Sequence, residues 1–197
     1  MLIYIHGFNS SALSFKAGLL RRRMAQLRRA RELVCPELSH RPAEAIAALE
    51  DIVGSADGAP VALIGSSLGG YYATWLAERY ELPAVLLNPA VRPYDLLSAY
   101  VGPQTNLYTG ERYALTGQHV AELRELEVAS VTPERYLLIV ETGDEVLDYR
   151  DAVESYLGCA QIVVEGGDHG LGDFDRYIER ALAFCGVSNA GATADGG

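Results

Sequence analysis

The sequence predicts an α/β fold, a mostly parallel sheet with helices on both faces, and three observations carry that prediction. Short apolar runs rich in β-branched residues alternate with segments of helical period. Most of the runs are apolar at consecutive positions rather than at every second one, as strands covered on both faces require. A Gly-x-Ser-x-Gly turn joins one run directly to a helical segment. With 197 residues the chain suits one domain, expected over 1–186, with a flexible tail over 187–197.

The strand candidates in order are 2–5, 33–35, 61–64, 84–88, 136–140 and 161–165, and the helical segments are 14–31, 43–53, 68–80, 147–157 and 173–185. Pro83 closes the helix that follows the Gly-x-Ser-x-Gly turn. Residues 91–133 break the rhythm with Pro93, Gly102, Pro103, Gly110 and Gly117, and carry Tyr94, Tyr100, Tyr108 and Tyr113. No strand of the sheet is evident there, so this stretch reads as an excursion over the sheet's carboxyl edge, a cap or lid to the ligand site.

Composition narrows the classes. An apolar content of 49% with 21% charged residues belongs to a globular protein. No apolar run reaches the ~20 residues of a membrane span, and Met1–Gly7 has no basic segment of a secretory signal. Cys35, Cys159 and Cys185 form an odd set without metal-ligand spacing, which suggests free thiols and a cytoplasmic location. The net charge of −10 argues against a nucleic-acid partner. Yet residues 1–31 hold Lys16, Arg21, Arg22, Arg23, Arg28, Arg29 and Arg31 with no acid. These either serve an anionic group or complement the dipole of the helix that carries them, and the second reading needs no partner.

The chemistry starts at Gly65-Ser66-Ser67-Leu68-Gly69. Gly-x-Ser-x-Gly between a strand and a helix is the nucleophile elbow of the α/β-hydrolase fold. Glycines two before and two after the serine allow a turn too tight for side chains, and the serine Oγ is thrust above the sheet. This makes Ser67 the nucleophile rather than Ser66. A serine hydroxyl needs a base within reach and a third group to orient that base. Two histidines follow it: His119 lies within the excursion, whereas His169 follows the last strand among glycines, so His169 is the expected base. The orienting acid should come from the end of the 136–140 strand. Asp144 fits best, with Asp148 the nearest rival and Glu141 and Glu145 behind it. Asp168 reads as a solvated loop residue. The developing oxyanion needs fixed N–H donors, expected from the amides of Leu68, at a helix start, and Phe8, in the loop after the first strand. His6 in that loop reads as a buttress.

These pieces together resemble a known family. Tyr4-Ile5-His6-Gly7-Phe8-Asn9-Ser10-Ser11, the block from Ile64 to Leu76, Leu87-Asn88-Pro89-Ala90-Val91-Arg92-Pro93, Tyr108-Thr109-Gly110 and the block from Thr142 to Arg150 are similar to the YqiA-like esterases, small bacterial α/β-hydrolases. The resemblance spans roughly residues 2 to 185. It implies a carboxylic-ester or acyl-thioester hydrolase that uses no cofactor and no metal, with Ser67, Asp144 and His169 on the family's catalytic positions. Asp168 departs from the Asn or similar residue expected there. The leading expectation is a serine esterase acting on a small acyl ester. The alternatives are an acyl-CoA thioesterase or acyltransferase on the same machinery, with the basic helix holding phosphates, and an idle fold used as a binding module. An aspartate-based dehalogenase is excluded by the serine at the elbow.

Overall fold

The structure is a computed structural model and describes residues 1–187. Six parallel strands form the main sheet: β1 (Leu2–Ile5), β2 (Leu33–Val34), β3 (Ala62–Ser66), β4 (Ala84–Leu87), β7 (Tyr136–Glu141) and β8 (Ala160–Val164), in the order β2-β1-β3-β4-β7-β8. Between β4 and β7 a separate antiparallel hairpin pairs β5 (Gly102–Thr105) with β6 (Arg112–Leu115).

The doubly apolar strands feed two cores. On one face Ile3, Ile5, Leu63, Leu86, Leu138 and Val140 pack under α2 (Pro42–Gly54), α3 (Leu68–Tyr80), α4 (Pro93–Ser98), α5 (Gly117–Glu125) and α6 (Tyr149–Ser155). On the other, Leu2, Tyr4, Ile64, Val85, Leu87, Leu137 and Ile139 pack under α1 (Phe15–Gln26) and α7 (Ile178–Phe184). Successive strand residues alternate between the two cores, the geometry of a pleated sheet sandwiched by helices.

Several boundaries differ from the sequence expectation. The first helix ends at Gln26 rather than 31: Arg28 turns to φ 58°, and a 3₁₀ turn over Ala30–Glu32 leads into β2. Arg28, Arg29 and Arg31 therefore lie beyond the helix, and the dipole argument covers only Arg23 in its last turn. The segment 173–185 splits into a 3₁₀ turn over Phe174–Arg176 and α7. The excursion 91–133 contributes no strand to the main sheet, but it holds α4, the hairpin and α5. Val187, expected to begin a flexible tail, is buried and donates its N–H to Leu182 O. The remainder of that tail, 188–197, lies outside the described residues. Among the described residues no helix is long and apolar enough to cross a membrane.

Candidate active site

The carboxyl ends of β1, β3, β7 and β8 meet on one edge of the sheet, and each delivers one part of the site. At the end of β3, Ser67 sits at φ 54° and ψ −122°, a conformation that costs a non-glycine residue of order 1–3 kcal/mol. The flanking glycines explain how the chain tolerates it. A Cβ on Gly65 would lie 2.3 Å from Gly69 O, and one on Gly69 would lie 2.1 Å from Ile5 O. The turn is closed by Ser67 N–H on Leu87 O and by the Gly70 and Ala90 amides on Ser67 O. Ser66, by contrast, is the buried last residue of β3.

His169 stands in the loop after β8 with its Nε2 3.0 Å from Ser67 Oγ. Its Nδ1 lies 2.8 Å from Asp144 Oδ2. Asp144 comes from the turn after β7; its side chain is 2% exposed, and its Oδ1 accepts from the Val146 and Leu147 amides. Burial alone would raise its pKa. The hydrogen bonds from His169 and from the Leu147 and Val146 amides outweigh burial and hold the carboxyl below its ordinary range. A carboxylate at Oδ2 fixes the proton on Nδ1, so Nε2 is left as an acceptor for the Ser67 hydroxyl.

The rivals are engaged elsewhere. Asp148 is the N-cap of α6, accepting from Arg150 N and pairing with the Arg150 guanidinium. Glu145 accepts the His169 backbone N–H, and Asp168 is exposed. His119 is buried in the first turn of α5, where its Nδ1 accepts from the Thr116 amide in a capping box. His6 is buried as well, with Nδ1 on Gly7 O and Nε2 accepting from Leu38 N–H. Burial lowers its pKa, and the two contacts brace the loop between β1 and α1.

That loop presses on Ser67: a Cβ on Gly7 would meet Ser67 Cβ at 3.1 Å. Among the described residues neither the Phe8 nor the Leu68 amide has an acceptor, and both residues line a cavity with Ser67 and His169. Leu68 is the first residue of α3, where the helix dipole favours an anion.

Two cavities open from Ser67 and His169. One, about 240 Å³, is walled by Phe8, Ala90, Pro93, Leu96, Leu97, Tyr100, Val146 and Leu147. The other, about 400 Å³, is more polar and presents Ser10, Ser14, Lys16, Tyr108 and Asp168. Lys16 donates to Gly170 O, and burial pushes its pKa down to about 8 against the pull of Asp168, Glu141 and Asp144. The four tyrosines of the excursion divide between roles. Tyr100 and Tyr108 are half exposed at the two cavities. Tyr94 is buried with its hydroxyl on Glu127, and Tyr113 stacks on His40 and donates to Asn9. Asn106 adds a bond to Ser10 O, so the hairpin also anchors the loop that carries Phe8.

The arrangement joins a carboxylate, an imidazole and a serine hydroxyl in one hydrogen-bonded chain, and the sequence comparison agrees with the fold that supplies them. The model of the uncharacterised protein family UPF0227 matches residues 1–186. The chain belongs to this family, the YqiA family. Its fold is that of the α/β-hydrolases. Est1E from Butyrivibrio proteoclasticus, solved with ferulic acid bound, superposes with a TM-score of 0.70 at 16% identity over 94% of this chain and 86% of its own. A candidate hydrolase from Agrobacterium vitis S4 gives 0.76 at 18% identity over 93% and 87%. Alpha/beta hydrolase domain-containing protein 10 from mouse gives 0.63 at 18% identity over 94% and 87%. At such identities these likenesses speak for the fold.

Proposed function

We propose that this YqiA-family protein is a serine hydrolase of carboxylic esters. One observation carries the reading: the unbroken chain Asp144 Oδ2–His169 Nδ1 at 2.8 Å and His169 Nε2–Ser67 Oγ at 3.0 Å, ending on a serine held in a strained elbow. Ser67 Oγ attacks the ester carbonyl as His169 Nε2 takes its proton. Asp144 keeps Nδ1 protonated and stabilises the imidazolium. Negative charge on the former carbonyl oxygen is met by the Phe8 and Leu68 amides. His169 then returns the proton to the departing alcohol, and a water activated by the same imidazole releases the acid from Ser67.

The apolar cavity suits the acyl part. A cavity of roughly 150 Å³ holds benzene, so about 240 Å³ fits a short acyl chain or a single-ring acid. The second cavity suits a polar alcohol. Acyl thioesters would use the same three residues, but the basic segment gives that reading little support. Arg21 donates to Ala12 O, Arg23 pairs with Glu179 and Arg29 with Glu32.

The test is a screen of acyl esters and acyl-CoAs of graded chain length with a Ser67→Ala control. Turnover of short-chain esters that vanishes in the control supports the reading. Preference for acyl-CoAs at every length contradicts it.

A further inference from the structure

The loop that presents His169 has no helix or strand of its own, yet side chains from other elements hold its backbone. The Asp168 N–H donates to Glu141 Oε2 at 2.9 Å. The carbonyls of Asp168 and His169 both accept from the Asn88 amide, at 3.1 and 3.3 Å. Asn88 Oδ1 in turn accepts the Glu141 N–H at 2.9 Å, so the two side chains act as one clamp across the ends of β4 and β7. Both are buried: Glu141 is 2% exposed and Asn88 3%. The loop comes so close that a Cβ on Gly167 would fall 2.1 Å from the Glu141 carboxyl carbon.

Glu141 has a further neighbour. Beyond burial, the Asp173 carboxyl is near enough to push the Glu141 carboxyl above its ordinary range. Asp173 Oδ2 accepts from Arg176, while Oδ1 is the one buried side-chain oxygen or nitrogen among the described residues without a partner. Two carboxylates cannot bond each other, since both only accept. A single proton between them supplies the donor that the buried Asp173 Oδ1 lacks and removes one of two adjacent charges, that of the buried Glu141.

We propose that Glu141 and Asp173 share one proton and, with Asn88, form the positioning unit that holds His169 in line between Asp144 and Ser67. This rests on the reading of His169 as the base. Burial, then Asp173 and Asp168, drive the Glu141 carboxyl above its ordinary range; the Asp168 N–H bond and the Lys16 ammonium pull the other way. A raised acid favours the folded arrangement at low pH, and the benefit is lost as pH rises through the folded value. On the alkaline side the unit becomes a pair of repelling anions under the His169 loop, and activity falls.

Glutamine is the neutral shape-mimic of a protonated Glu141: its oxygen accepts from Asp168 N–H and its amide donates to Asp173. The experiment compares wild type, Glu141→Gln, Glu141→Ala, Asn88→Ala and the Ser67→Ala control. It records kcat and KM on p-nitrophenyl butyrate from about pH 5 to about pH 10, and hydrogen exchange of residues 166–172. Glu141→Ala and Asn88→Ala should lose roughly 10–100-fold in kcat with KM changed by less than about 3-fold, and exchange faster in the loop. Glu141→Gln should stay within about 3-fold of wild type at neutral pH, keep the slow exchange, and lack the alkaline decline. Glu141→Gln as damaging as Glu141→Ala, or an alkaline limb that is the same with and without the carboxyl, overturns the shared proton. If wild type and Ser67→Ala are equally inert toward esters, it is the esterase reading that fails. The exchange comparison of Gln with Ala at 141 then still decides the positioning.

Discussion

Replacing Asp144 by Asn tests the proposed triad at the carboxylate that orients His169. Asp144 Oδ1 accepts two amides, from Val146 at 2.9 Å and Leu147 at 2.8 Å, and Oδ2 faces His169 Nδ1 at 2.8 Å. An asparagine keeps the first two bonds only with its oxygen at the Oδ1 position. Turning the amide round sets donors against donors, at about 1–3 kcal/mol for each buried group left unmet. Its NH₂ therefore points at Nδ1, which must become an acceptor. The proton moves to Nε2, and the imidazole offers Ser67 a donor where the reaction needs an acceptor. In a serine triad this tautomer error costs about 10⁴ in kcat, or about 5 kcal/mol of transition-state stabilisation. Asp148→Asn is the control. It keeps an N-cap oxygen for Arg150 N, so turnover should change by less than about 2-fold and the melting temperature hardly at all. Steady-state hydrolysis of p-nitrophenyl butyrate measures both. Asp144→Asn retaining more than about a tenth of wild-type kcat, or Asp148→Asn losing more than Asp144→Asn, refutes the assignment.

Other outcomes follow from the same geometry. Tyr100→Ala opens the wall of the apolar cavity and should shift preference toward longer acyl chains with little change in melting temperature, whereas Tyr94→Phe, which strips the bond to Glu127, should cost about 1–2 kcal/mol in denaturant unfolding and leave preference unchanged. Gly65→Ala sets a methyl against Gly69 O and should abolish soluble, folded protein or lower its melting temperature steeply; a normal melting curve contradicts the tight elbow. Asp144 is held below its ordinary value of 3.8, so near that pH the unfolded chain binds more protons than the folded one and stability rises with pH. The benefit is present above that value and lost as pH falls through the lower folded one; Asp144→Asn should therefore lose less melting temperature than wild type on acidification below about pH 4, and equal losses exclude the effect.

The parts of the fold governed by local pattern were legible in the sequence. Doubly apolar runs located all six strands of the sheet to within a few residues, and the glycine spacing located the elbow. Ser67, Asp144 and His169, chosen from separate segments, converge within hydrogen-bond distance. What stayed hidden depends on tertiary contact. α4 and α5 are short, and the glycines and prolines of the excursion obscure them; α5 is started by a histidine, His119, in a capping role usually filled by Glu or Gln. The early end of α1 at Gln26, with the turn at Arg28, has no Gly or Pro to mark it. Asn88 and Glu141 were missed as clamps of the His169 loop. The available signal was a polar residue closing each of two apolar strands, where a solvent-facing end accounts for the polarity equally well until both are seen buried.

The central claim, that Ser67 is activated by His169, is tested most directly by labelling the folded protein with a fluorophosphonate and locating the adduct by mass spectrometry. The account predicts one adduct, on Ser67, absent from Ser67→Ala and formed far more slowly in His169→Ala. An adduct on Ser66, or no adduct on protein shown to be folded, contradicts it.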